Sequence, residues 1–123
     1  MTPSNDAKAH LAKSQEFLAS AEDNLALGRL NAATSDAVIS GINTKDAICL
    51  KLTGRTAKTD NHQAATVELR RAGGVGRSAA MTFGRLLTKK TQSQYQTTPV
   101  PRADAERAVK HARALSEDAR SLW

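Results

Sequence analysis

The segment AKAHLAKSQEFLASAEDNLALG, residues 7–28, decides the fold class. Its small and apolar residues recur at alternating spacings of four and three, at Ala7, Leu11, Ser14, Leu18, Ala21 and Leu25. This spacing places them on one face of an α-helix, with charged residues at the other positions. Gly28 readily adopts the left-handed conformation that ends a helix. We therefore predict a first helix over residues 6–27.

The end of the chain has a similar pattern, which predicts a last helix over residues 102–122. Its spacing again alternates between three and four, at Ala105, Ala108, Ala112, Leu115, Ala119 and Leu122. Between these helices we predict one from an Asn31 cap to before Gly54, one over residues 61–72 stopped by glycines, and one over residues 77–92. The sequence thus predicts an all-α, up-and-down bundle of four to five helices, forming one domain over residues 1–123.

The composition excludes several classes of protein. With four aromatic residues in 123 and few β-branched residues, an all-β domain is excluded. No apolar run approaches the roughly 18 residues that span a bilayer, and the first residues lack the order of a signal peptide. We therefore expect a cytoplasmic protein that does not enter the membrane. Cys49 is the single cysteine, so an internal disulfide and a multi-cysteine zinc site are also excluded.

The net charge of +6 is concentrated in the middle of the chain. Residues 49–102 contain ten basic and two acidic residues, whereas residues 1–48 are slightly acidic. A basic middle attracts phosphates, a membrane surface or an acidic partner, although an arginine-rich solvated face that aids solubility has the same composition. The alanine-rich helix faces would bury little area in a single chain, so we expect a homodimer.

The segment LTKKTQSQY, residues 87–95, is the strongest candidate for anion binding. Lys89 and Lys90 lie at a predicted helix end, Arg85 lies one turn earlier, and Tyr95 offers a ring for stacking. These four residues could hold the phosphodiester of RNA or of a nucleotide. The alternative is an ordinary helix end with the tyrosine packed on the bundle.

Three residues are candidates for catalysis, namely Arg55, His62 and His111. Arg55 and His62 have six residues between them, whereas His111 lies one turn after Arg107 and is explained as a solvated residue on the last helix. No histidine has a partner histidine at one-turn spacing, so no metal site is expected. The only glycine-rich segment, at 73–76, lacks the preceding strand and the lysine of a phosphate loop, and no cofactor is expected.

The order of these features resembles the HEPN domain family of prokaryotic helical bundles. The residues matching the family's first helix and the start of its second are Phe17, Leu18, Ala21, Leu25, Gly28, Arg29, Asn31 and Ala33. His62 matches a histidine at the start of a short third helix. The stretch KTQSQY matches Arg-x-x-Ala-Asp-Tyr of many members, with Lys90 in place of arginine and Tyr95 as the tyrosine. Val38-Ile39-Ser40 departs from the Tyr-Tyr-Ala that members often carry.

The resemblance implies a bundle that dimerises through its long helices. It also implies a link to RNA cleavage or to nucleotidyltransferase partners in toxin–antitoxin and defence systems. Active members use an arginine and a histidine separated by four to six residues near the dimer interface. Lys90 has no such histidine after it, and its single ammonium does not replace the fork of arginine.

The resemblance therefore implies a non-catalytic or degenerate member that binds RNA, a nucleotide or a partner protein. One alternative is a metal-independent endoribonuclease with a divergent site that uses Arg55 and His62, or His111 from the paired chain. Another alternative is an interaction module whose alanine stripes dock a partner helix without binding nucleic acid.

Overall fold

A computed structural model describes residues 3–90 and 97–123, most of which are helical. The five helices in these ranges are α1 (Pro3–Ala26), α2 (Leu30–Thr53), α3 (His62–Arg71), α4 (Gly74–Leu87) and α5 (Arg102–Arg120). No residue of the described ranges lies in a β-strand, and the predicted all-α fold is confirmed. None of these helices is both long and apolar enough to cross a membrane.

Helix α2 lies at the centre of the bundle, where it packs against α1, α4 and α5. The small residues Ala33 and Ala37 are fully buried along it. At Gly41, a Cβ atom would meet the side chains of Leu86 in α4 and Leu115 in α5. The small-residue stripe of α2 therefore allows the neighbouring helices to approach closely.

The predicted apolar faces of α1 and α5 both point into the bundle. Ala7, Leu18 and Ala21 are buried in α1, and the matching alanines of α5 are buried as well. Helix α1 packs mainly on α2, although it also contacts α5. Its Ser14 hydroxyl lies 2.6 Å from the Thr44 hydroxyl, so small polar side chains join these two helices.

Two glycines end helices as the sequence predicts, whereas α1 begins three residues before the predicted start and the predicted cap of α2 is wrong. Gly28 and Gly54 have φ of 76° and 80°, in the left-handed region. Helix α2 begins at Leu30, and Asn31 does not cap it. The Asn31 side chain instead accepts a hydrogen bond of 2.9 Å from the backbone N–H of Val100, which joins the segment before α5 to α2.

Helix α4 begins at Gly74 and not at the predicted Arg77. Gly76 lies inside the helix, where a Cβ atom would meet the backbone carbonyl of Leu69 in α3. The glycines at 74 and 76 therefore form the first turn of α4, packed close to α3, and the turn between α3 and α4 is shorter than predicted. Helix α4 ends at Leu87, so its predicted continuation through Thr88 and Lys89 is wrong, and residues 91 and 92 lie outside the described residues.

Residues 54–60, which we call the strap, connect α2 to α3 and lie against a buried polar cluster. Lys45 of α2 is only 2% exposed at its side chain. Its ammonium donates to the Thr56 hydroxyl (2.8 Å) and the Ala57 carbonyl (3.1 Å), and pairs with the carboxylate of Glu68 in α3. The Ala57 N–H donates to the same carboxylate. Lys45 and Glu68 therefore hold the strap by its backbone.

Asp46 and His10 extend this cluster to the first helix. The Asp46 carboxylate, 5% exposed, accepts hydrogen bonds from Thr56 (2.6 Å) and from the Lys58 ammonium (2.9 Å). Lys58 also donates to His10 Nε2, and His10 Nδ1 lies 2.9 Å from Asn43 Oδ1. Because an ammonium only donates, Nε2 of His10 accepts and Nδ1 carries the hydrogen. We call His10, Lys45, Asp46, Lys58 and Glu68 the strap cluster.

Candidate functional site

The candidate functional site is a cleft between α4 and α5 with a volume of about 230 Å³. Its lining comprises Arg85, Thr88, Lys89, Asp104, Arg107, Ala108 and His111. Arg85 lies in the last turn of α4, and Thr88 and Lys89 lie in the turn that follows it. The residues of α5 follow a spacing of three and four, so they lie on one face of that helix. Packing of α4 on α5 brings the two sets of residues together. We refer to this site as the α4–α5 cleft.

The α4–α5 cleft contains three basic side chains and one carboxylate. Asp104 accepts a hydrogen bond of 2.9 Å from Arg107, and Lys89 lies 3.3 Å from its other oxygen. These two cations hold the pKa of Asp104 below its ordinary value, so the carboxylate stays ionised. Arg85 is exposed and forms no ion pair with any residue in the described ranges. The cleft therefore has an excess of positive charge.

His111 is half-buried in the same cleft. Burial lowers its pKa below the ordinary value, and the positive charges of Arg85, Lys110 and Arg107 lower it further. The imidazole is therefore neutral at pH 7, with one nitrogen that donates and one that accepts. Such a ring can donate a hydrogen bond to an anion or accept a proton from a hydroxyl.

The structure brings together only part of the residue set predicted for anion binding. Arg85 and Lys89 share the α4–α5 cleft, with His111 from the catalytic candidates. Lys90 lines a different cavity of about 240 Å³, bounded by the strap, where it lies with His62. Tyr95 falls within residues 91–96, outside the described residues.

The predicted pair of Arg55 and His62 does not line a common cavity. Arg55 is exposed and lines a groove of about 650 Å³ between α2 and α3, with Arg71. His62 lines the cavity beside the strap. A ribonuclease site built from these two residues therefore has no support in this geometry.

Arg107 is a site residue that the sequence does not single out. From sequence, Arg107 and His111 are explained as solvated residues on the outer face of the last helix, whereas in the structure they line the cleft. One feature of the sequence could have identified them. Arg107 and His111 follow Asp104 by three and seven residues, which places all three on one face of α5. Recognising the cleft also requires the packing of α4 on that face.

The remaining reactive side chains do not form a further site. Cys49 is buried in the core, and this burial raises the pKa of its thiol to about 11, so the thiol is protonated at pH 7. Within residues 3–90 and 97–123, no group of three histidine, cysteine or acidic side chains is arranged to hold a metal ion.

Comparison with known protein families identifies a match over most of the chain. The family model described as HEPN domain matches residues 7–122, which include nearly all of the five helices. No curated protein matches the chain. A match to this family points in general to a function related to RNA or nucleotides, or to toxin–antitoxin systems.

Proposed function

Since this chain belongs to the HEPN domain family, we propose that it is a non-catalytic member that binds RNA or a nucleotide through phosphate. The binding site is the α4–α5 cleft. One observation carries the proposal: Arg85 has no ion pair with any described residue, and it lines a cleft in which Lys89 and Arg107 already contact the carboxylate of Asp104. An anion would balance the remaining charge.

The side chains of the cleft suit a phosphate group. The planar guanidinium of Arg85 can donate two parallel hydrogen bonds to phosphate oxygens, and its exposure leaves it accessible. Lys89 and Arg107 are 32% and 60% exposed at their side chains, so both also face solvent while they contact Asp104. The neutral ring of His111 adds an N–H donor.

The test is the affinity for a single-stranded RNA at several salt concentrations, measured by fluorescence anisotropy. Arg85→Gln should weaken binding about tenfold and reduce the slope of affinity against salt by roughly one phosphate contact. The matched control is Arg113→Gln, because Arg113 lies on α5 outside the cleft and pairs with Glu22 at 3.0 Å. Equal affinities of the two variants would overturn the proposal.

A second candidate function is metal-independent ribonuclease activity. It is favoured by the presence of a neutral histidine, His111, between Arg85 and Arg107 in one cleft. A neutral imidazole can accept the proton of a 2′-hydroxyl, and a guanidinium stabilises developing negative charge. Incubation of the protein with mixed RNA and a chelator decides between the two functions.

In that experiment, the binding function predicts no cleavage by the unchanged protein. Cleavage that is lost in both His111→Ala and Arg85→Gln would instead establish the ribonuclease. The control is His62→Ala, since His62 lines the separate cavity beside the strap. Cleavage that survives both His111→Ala and His62→Ala would identify a contaminating enzyme.

We also propose that the chain forms a homodimer. The proposal is supported by the large apolar residues that are exposed in the described parts of the chain, namely Leu27, Leu52, Met81 and Trp123. Their contact with a second chain would remove apolar surface from water. A monomeric mass in light scattering at micromolar concentration would contradict it. A nucleotidyltransferase partner stays a prediction from the family resemblance, and a complex stable in high salt would favour the protein-interaction alternative.

A further inference from the structure

We infer that the α4–α5 cleft recognises a terminal phosphate group, the phosphomonoester of an RNA end or of a mononucleotide, in preference to an internal phosphodiester. The inference rests on the proposed function and names the ligand class for the same site. Three features of the cleft carry it: the balance of charge, the size of the cavity, and the placement of donors on both of its walls.

The balance of charge favours an anion that carries more than one negative charge. Arg85, Lys89 and Arg107 are cationic, and the ionised Asp104 balances one of them. Two positive charges therefore remain. An internal phosphodiester carries a single negative charge, whereas a phosphomonoester carries about −1.5 to −2 at pH 7. The monoester matches the cleft, and the diester leaves part of the positive charge unbalanced.

The size of the cavity favours an end over a continuous strand. Its volume of about 230 Å³ lies below the range of roughly 300–1,000 Å³ that is typical of pockets for drug-sized ligands. A phosphate group with part of a ribose fits such a volume. An internal phosphate would need room for the chain on both of its sides.

Donors on opposite walls suit a phosphate that has three unesterified oxygens. Arg85 and Lys89 approach from the α4 side, and Arg107 and His111 approach from α5. A phosphodiester has only two unesterified oxygens, so it satisfies fewer of these donors at once. Asp104 disfavours oxygens next to it at the first turn of α5, which directs the phosphate toward Arg85 and His111.

The experiment compares two short single-stranded RNAs of identical sequence, one with a 5′-phosphate and one with a 5′-hydroxyl. We expect the phosphorylated RNA to bind about tenfold more tightly, and AMP to compete for the site where adenosine does not. Arg85→Gln should largely remove the difference between the two RNAs, and Arg113→Gln should keep it. A third RNA with a 3′-phosphate shows whether one end is preferred; tighter binding at either end supports the inference.

The outcomes separate this inference from the proposed function. If both RNAs bind equally and Arg85→Gln weakens both, the preference for a terminal phosphate is wrong and phosphate binding in the cleft stands. If neither RNA nor AMP binds, both are wrong. If the phosphorylated RNA binds more tightly but the advantage persists in Arg85→Gln, the preference does not arise in this cleft and the inference is overturned.

Discussion

The strap cluster and the α4–α5 cleft are both built from lysine, carboxylate and histidine side chains, yet their charges are balanced differently. In the strap cluster, Lys45 and Asp46 are almost completely buried and contact groups of opposite charge on the strap and on α3. In the cleft, a single carboxylate faces three exposed or half-exposed cations. Balanced and buried charges stabilise the fold, whereas an excess of accessible charge is available for a ligand.

The largest expected effect is on the free energy of unfolding, which should depend on the strap cluster and not on the α4–α5 cleft. Lys45→Met should lower the free energy of unfolding by about 3 kcal/mol, because the carboxylates of Asp46 and Glu68 lose a buried cation. Urea denaturation measures this change in the free energy of unfolding. Arg85→Gln, at an exposed position, should change the same quantity by less than about 0.5 kcal/mol. Similar losses in both variants would contradict the division between the two regions.

A smaller effect is expected on the affinity for RNA. The test is whether that affinity rises or falls when Asp104 is changed. Asp104→Asn removes the one carboxylate among the described residues that line the α4–α5 cleft, and it leaves an amide oxygen that Arg107 can still contact. Affinity for a 5′-phosphorylated RNA should rise about fivefold because one unfavourable charge is removed. The control is Asp23→Asn, an exposed change on α1 with the same charge difference. Weaker binding by Asp104→Asn would show that Asp104 does not oppose the ligand.

The smallest effect is the pH dependence of stability contributed by His111. Its folded-state pKa is lower than the ordinary 6.5. Below pH 6.5, the unfolded chain therefore binds a proton that the folded chain does not, and this contribution reduces stability as pH falls until the folded pKa is passed. His111→Gln should lose less stability than the unchanged protein between about pH 7.5 and about pH 5.5 in urea denaturation. Identical losses of stability in His111→Gln and in the unchanged protein would contradict this prediction.

The sequence predicts much of the fold because its signals are local. The apolar faces of α1 and α5 depend on residues within a few turns of each other. The same is true of the helix ends at Gly28 and Gly54. The strap cluster could not be predicted in this way. Lys45 and Asp46 look like ordinary surface charges in sequence, and the carboxylate that pairs with Lys45 lies 23 residues away on another helix.

The candidate site was predicted only in part, for a related reason. Arg85 and Lys89 line the same cleft, but the adjacent Lys90 lines a different cavity, because α4 ends at Leu87 and the chain turns at Thr88 and Lys89. Arg107 and His111 become site residues only when α5 packs beside α4. The positions of basic residues in the sequence do not reveal that α5 packs beside α4.

The most direct test of the central claim is the location of the bound phosphate. Titration of the ¹⁵N-labelled protein with 5′-phosphorylated RNA, followed by amide chemical shifts, reports it residue by residue. We expect the largest changes at Arg85, Arg107 and His111, with little change at Lys58 in the strap. Changes centred on the strap and Lys90, with none at Arg85, would contradict it.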